Sequence, residues 1–167
     1  MEVISNHNWA LTVGTFLPLV GVLIMLFIPK AEEALIKSVA IATAIATLAV
    51  GIYTMIQFDF GNAGTMQFVA QHDWISVIKS SYFIGIDGIS LPLYLLSMVI
   101  TVLVMIYSWD HVPSPGNPKA FFILMLILQT GMAGTFIARD LILFFVFFEL
   151  VLLPMYFMIG VWGGENR

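Results

Sequence analysis

Glu149 is the residue whose type and setting point most directly to chemistry. It stands in Phe144-Phe-Val-Phe-Phe-Glu149-Leu-Val-Leu-Leu-Pro154, a run with no other charge. Ionised and unpaired in such surroundings, a carboxylate costs several kcal/mol, so intramembrane acids face a bundle interior or an aqueous cavity and handle ions or protons. Burial favours the neutral acid and a nearby cation favours the carboxylate. A group held between those two states can pass a proton. The competing reading is a permanently neutral acid that only joins helices by hydrogen bonds. Pro154 withdraws the helical hydrogen bond to the Leu150 carbonyl, beside Glu149. A carbonyl freed in this way must find water or a side chain; an ordinary packing kink is the alternative. Tyr156 follows Glu149 by seven positions, nearly on the same helical face, as a donor to the carboxylate or a packed aromatic. Gln129 and Thr130 stand at the middle of the preceding apolar stretch. Either can hydrogen-bond Glu149 or water beside it, or act as interhelical glue. Thr101 is a weaker candidate.

These residues need a scaffold, and the composition says which kind. The chain is 60% hydrophobic and 10% charged, with a mean hydropathy of +1.02. A soluble domain carries about 25% charged residues, so polar surface is too scarce here to coat a water-soluble globule. The apolar residues come in blocks of spanning length, about 20 residues each. Five such spans are predicted, at 9–28, 38–58, 88–109, 120–138 and 141–162. The expected fold is an all-α integral membrane protein, one membrane domain over 1–167, with a long extracytoplasmic loop between helices two and three. Trp9, Trp109 and Trp162 fall at span ends, where an amphipathic ring suits the headgroup level. The first span lacks a basic leader and a small-residue cleavage site, and reads as a retained helix.

The connections place the chemistry. Arg139-Asp140 is a minimal hinge, so spans four and five form an antiparallel pair in which equal depths meet. Segment 59–86 is the long connection, and its β-branched and aromatic runs at 66–70 and 82–86 predict a β-hairpin. Asp87, Gly88 and Ser90 form a helix-start motif, with Asp87 as N-cap. An N-terminus outside puts Lys30, Lys37, Lys119 and Arg167 in the cytoplasm and only Lys79 and Arg139 outside, as the positive-inside rule favours.

Several functions are excluded or unsupported. Net charge is −4, without a Lys/Arg cluster, so no nucleic-acid partner is expected. Cysteine is absent, so this chain ligates no iron–sulfur cluster through thiolates and has no thiol chemistry. His7, His72 and His111 are isolated loop residues, and no metal-ligand spacing or nucleotide loop is present. Gly131/Gly134 and Gly160/Gly164 are spaced for close helix packing.

Two segments carry a family resemblance. Phe83-Ile-Gly-Ile-Asp87-Gly-Ile-Ser90-Leu-Pro92 resembles the start of the third helix of antiporter-like subunits of respiratory complex I. The run from Arg139 through Glu149, Pro154 and Tyr156 to Gly160-Val-Trp-Gly-Gly164 resembles their fifth helix. The subunit M, or chain 4, branch is the nearest in pattern, and the strong likeness covers about half the chain. The resemblance implies proton translocation coupled to NADH oxidation by quinone, with Glu149 matching a glutamate that pairs with a lysine on a later helix. It implies no cofactor on this chain, with NADH and quinone used by other subunits. It also implies other membrane-arm subunits as partners, together with the lipid bilayer and protons, in an energy-converting bacterial plasma membrane.

The sequence ends at Arg167, before the lysine-bearing helices of such subunits. The expectation is therefore an N-terminal portion of a larger subunit, or one piece of a split one, inactive as a pump by itself. A cation/proton antiporter subunit, a membrane-bound hydrogenase subunit and a non-catalytic assembly fragment are the alternative readings.

Overall fold

The computed structural model describes residues 3–4 and 7–166. Arg167, one of the charges used to orient the chain, lies outside the described residues. Apolar segments without water must satisfy their backbone groups internally, which favours helices. Five form: α1 (Ala10–Leu26), α2 (Glu33–Gln57), α3 (Ser90–Tyr107), α4 (Pro118–Ile137) and α5 (Leu141–Trp162).

Helices α2 to α5 are long and apolar enough to cross a membrane, by length and composition. The first expected span falls short. α1 has 17 residues, about 25 Å of helix against a ~30 Å hydrocarbon core. Its predicted last two residues, Phe27 and Ile28, are a turn, because Pro29 disfavours helix in the residue before it.

The all-α expectation also needs correction, because a three-stranded sheet in the order β1-β2-β3 occupies the α2–α3 connection and the N-terminus. β2 (Met66–Ile75) and β3 (Ser80–Ile86) are the expected hairpin, antiparallel, with Gln67 opposite Ile86 and Gln71 opposite Phe83. β1 (Val3–Ile4) adds a parallel edge strand that the sequence did not suggest. The turn before β2 is closed by the buried Gln67 side chain. Its Oε1 accepts from the Asp59 N–H at 2.8 Å and its Nε2 donates to the Asp59 carbonyl at 2.9 Å.

α4 is the hub and packs on the other four helices. Two apolar clusters fill the bundle. Leu11, Ile84, Ile86, Tyr94, Ile137 and Phe147 belong to the one beneath the sheet. Met25, Ile36, Met105, Phe122 and Leu126 belong to the other. At that second end, lysines close helix C-termini. Lys119 Nζ donates to the Ile28 and Leu26 carbonyls at 2.7 and 3.2 Å, and Lys37 Nζ donates to the Trp109 carbonyl. Lys37 and Lys119 thus sit at one end of the bundle, and Arg139 sits at the other, against β3.

Candidate functional site

α5 begins at a hinge held from three sides. The α4 helix stops at Ile137, and Ala138 forms an isolated antiparallel bridge with Ile84 of β3. The Arg139 N–H donates to the Phe83 carbonyl at 2.8 Å. Its guanidinium donates through Nε to the Gly85 carbonyl at 3.2 Å and through Nη2 to Ser90 Oγ at 3.3 Å. The same Nη2 stands 3.3 Å from Asp87 Oδ2, an ion pair with both side chains about a quarter exposed.

Asp87, Gly88 and Ser90 explain why α3 starts here. Asp87 Oδ1 accepts from the Ser90 and Ile89 N–H groups at 2.8 and 3.0 Å, while Ser90 Oγ accepts from the Asp87 N–H at 2.9 Å. This reciprocal pair has the form of a capping box, with Ser90, the first residue of α3, answering Asp87 three positions before it. Gly88 donates its N–H to the Ala63 carbonyl at 2.8 Å, and a Cβ there would lie 2.9 Å from the Ala63 Cβ. Burial alone would raise the Asp87 carboxyl; the Ser90 and Ile89 hydrogen bonds and the Arg139 charge outweigh it and hold the group below the ordinary carboxylate range.

Asp140 caps α5, accepting from the Leu143 N–H at 3.1 Å and from Ser80 Oγ at 2.8 Å. Those two donors hold its carboxyl below the usual range as well. Ser80 in turn accepts from Trp74 Nε1 at 2.6 Å. The sequence marked Arg139 and Asp140 only as a hinge and Asp87 only as a cap. Their meeting was missed, although each of the two recognisable segments carries one member of the pair.

From this anchor α5 runs against α4 through a narrow stripe. Its fully buried residues are Leu143, Phe147 and Pro154. Opposite them, a Cβ on Gly131 would lie 2.9 Å from the Val151 side chain and backbone, and one on Gly134 would fall into the Phe147 ring. The expected glycine packing is therefore present at this pair. It is absent at Gly160 and Gly164, where a Cβ would meet open space among the described residues.

Glu149 is exposed, near the middle of α5, and its side chain makes no hydrogen bond or ion pair among the described residues. At 100° per residue it points about 140° away from the packed stripe. Tyr156 is exposed on the same outer side and stacks edge-on with Phe157. Phe145, Phe148, Leu152 and Leu153 are exposed around Glu149.

The expected contact from α4 is not made. Gln129 and Thr130 are fully buried, and their side-chain polar atoms have no hydrogen-bond partner among the described residues. The hinge does set α4 and α5 side by side, but the glycine face of α4 turns toward α5. Gln129 lies about 170° around the helix from that face. Thr101 is likewise buried and donates to the Ser97 carbonyl of its own helix at 2.7 Å. Among the described residues, no group of three or more His, Asp or Glu side chains could hold a metal ion.

Comparison with known proteins places these elements in context. The family described as NADH-ubiquinone oxidoreductase chain 4, amino terminus, matches residues 12–135. The NAD(P)H-quinone oxidoreductase chain 4-3 of Nostoc sp. is 36% identical over 94% of this chain and 28% of its own length. The NADH-quinone oxidoreductase subunit M of Rickettsia typhi is 36% identical over 94% of this chain and 32% of its own. The F(420)H(2) dehydrogenase subunit M of Methanosarcina mazei is 36% identical over 74% of this chain and 24% of its own. The chain thus spans about a quarter to a third of the length of these relatives.

Proposed function

Since this chain belongs to the NADH-ubiquinone oxidoreductase chain 4 family, we propose that it is the N-terminal portion of a proton-translocating membrane-arm subunit, forming a single membrane domain. Glu149 is its working group. The observation that carries this reading is a carboxyl at the middle of a membrane helix, on a face exposed among the described residues. Unsatisfied charge at that depth calls for a cation or an aqueous path supplied from outside the described residues. The family resemblance assigns that role to a lysine on a later helix.

In this reading the lysine's charge sets whether Glu149 holds a proton. A shift of charge along the neighbouring subunits then loads or empties it. Pro154 lies five residues beyond Glu149 in α5, and the Leu150 carbonyl it leaves without a helical donor gives water or a side chain a foothold beside the carboxyl. Tyr156 stands on the outer side with it. Gln129 and Thr130 act inside the bundle instead, away from this face. The redox chemistry belongs to other subunits, and this chain carries no cofactor. Relatives with NADH and F(420)H(2) in their names share this segment, which fits a subunit that does not touch the electron donor. The names of these relatives favour a respiratory complex over a cation/proton antiporter. The N-terminus and the sheet face outward across an energy-converting bacterial plasma membrane, with Lys37 and Lys119 on the cytoplasmic side.

Glu149→Gln in the complete complex tests the reading. Proton pumping and coupled quinone reduction fall while the complex still assembles. Wild-type values of both would end the relay assignment.

A further inference from the structure

The proposal above leaves unexplained why so much polar structure gathers where α4 turns into α5. A connection of two residues needs no guanidinium shared among a carboxylate, a hydroxyl and a carbonyl, nor a second carboxylate tied to a neighbouring strand. The consequence for Glu149 follows from helix geometry. A slip of one residue at the hinge would turn α5 by about 100° and move it about 1.5 Å along its axis. Within this chain only a narrow stripe against α4 holds the rest of α5 against such a slip. Only Leu143, Phe147 and Pro154 are fully buried, and the partner surface on α4 is built on two glycines. Phe147 seats on Gly134 and Val151 on Gly131, so the register along this stripe rests on few side chains and the hinge must agree with it.

The anchor is directional. Arg139 ties the hinge to the start of α3 through Asp87 and Ser90, and to β3 through the Gly85 and Phe83 carbonyls. Asp140 ties the first turn of α5 to β3 through Ser80, with Ser81 N–H further off at 3.4 Å. Two successive side chains thus reach two separate elements, which fixes rotation as well as depth. We propose that Asp87, Arg139 and Asp140 are positioning residues that set the rotation and depth of α5, and through it the place of the Glu149 carboxyl. This inference rests on Glu149 being the working group; the geometry of the anchor does not.

The test reads the carboxyl directly. In the assembled complex carrying the full-length subunit, a membrane-permeant carbodiimide is applied at fixed pH, and its adduct on the Glu149 peptide is followed by mass spectrometry. Asp87→Asn keeps a capping side chain and removes the ion pair. Ser80→Ala loosens Asp140 from β3 and leaves its cap on Leu143 intact. Each is expected to change the modification rate of Glu149 by about threefold or more, because sub-ångström displacements alter reaction geometry strongly. Combining Asp87→Asn with Arg139→Gln is expected to add little beyond the larger single effect, as for two partners of one contact. Lys79→Gln removes a charge from the exposed hairpin turn and serves as the control with an unchanged rate.

Rates equal to wild type for both Asp87→Asn and Ser80→Ala in assembled complexes would overturn the positioning role and leave a purely structural clamp. The two proposals fail separately. Glu149→Gln with normal pumping would remove the working group while the modification rates could still respond to the anchor. An inactive Glu149→Gln with unresponsive rates would remove the anchor alone.

Discussion

Phe147 occupies the space that any side chain on Gly134 would need. A Cβ built on Gly134 would lie 2.1 to 2.4 Å from three atoms of the Phe147 ring, and the ring is itself held in the core, 6.0 Å from the Phe16 ring of α1. The ring has no free volume to retreat into without disturbing α1. Gly134→Ala is therefore expected to cost about 1–3 kcal/mol through overpacking. It should lower the thermal stability of the purified complex, and Phe147→Leu in the same chain should recover part of the loss. A Gly134→Ala variant as stable as wild type would show that α5 can shift away from α4, and would weaken the tight pairing described here.

The ion pair at the hinge makes a prediction about pH. The folded-state carboxyl of Asp87 titrates below its ordinary value. A depressed carboxylate contributes stability that is present above its unfolded value, near 4, and is lost as pH falls through the folded value. At neutral pH, Asp87→Asn should destabilise the α3–hinge contact by at most about 1.5–3 kcal/mol, the range for hydrogen bonds to a charged group. Below about pH 4 the difference between variant and wild type should shrink. Thermal unfolding of both complexes from pH 7 downward measures it. A gap that stays constant with pH would mean that the carboxylate charge is not what holds Arg139.

The lysines at the other end predict a smaller effect. Lys119 Nζ donates to two carbonyls at the C-terminus of α1, which has no basic residue of its own in its last turn. Those carbonyls carry the negative end of the helix dipole. Lys119→Met should cost about 1 kcal/mol and loosen residues 26–29, seen as faster amide exchange there. Unchanged exchange would mean that water caps α1 equally well.

Much of this arrangement is legible in the sequence, and the exceptions have physical causes. The bounds of α3 to α5 fall within two residues of the expected apolar spans, whereas α2 starts at Glu33, five residues before the expected 38, because its first turns carry Glu33 and Lys37 and hydropathy does not register them as helix. The strands of the hairpin announce themselves through aromatic and β-branched residues around Phe68 and Phe83. Val3 and Ile4 do not, because two residues show no period and their pairing with Met66 and Gln67 is long-range. The end of α1 was overestimated because Phe27 and Ile28 are apolar, and hydropathy does not register the constraint that Pro29 places on the backbone. Asp87 and Arg139 each looked local, since nothing in a linear chain reports which distant cap a guanidinium will reach. Gln129 was expected to face Glu149 and lies on the far side of α4 from α5. A tight hinge fixes which residues share a level, and the small residues of α4 decide which face meets α5.

That misplacement turns into the most discriminating substitution. If Gln129 supported Glu149, Gln129→Leu would slow turnover, though less than Glu149→Gln. In the structure its Nε2 and Oε1 are fully buried without a partner among the described residues, on the far side of α4 from α5. A buried polar group in that state costs about 1–3 kcal/mol, and an apolar replacement of similar shape removes the cost. Gln129→Leu should therefore leave quinone reduction and pumping near wild type and raise the thermal stability of the complex. Turnover lost to the same degree as in Glu149→Gln would mean that the buried amide, and not the exposed face of α5, lies on the proton's route. A moderate loss of turnover together with lower stability would mean that Gln129 is held by a hydrogen-bonding partner in the complete assembly, and that α4 contributes to the site from inside the bundle.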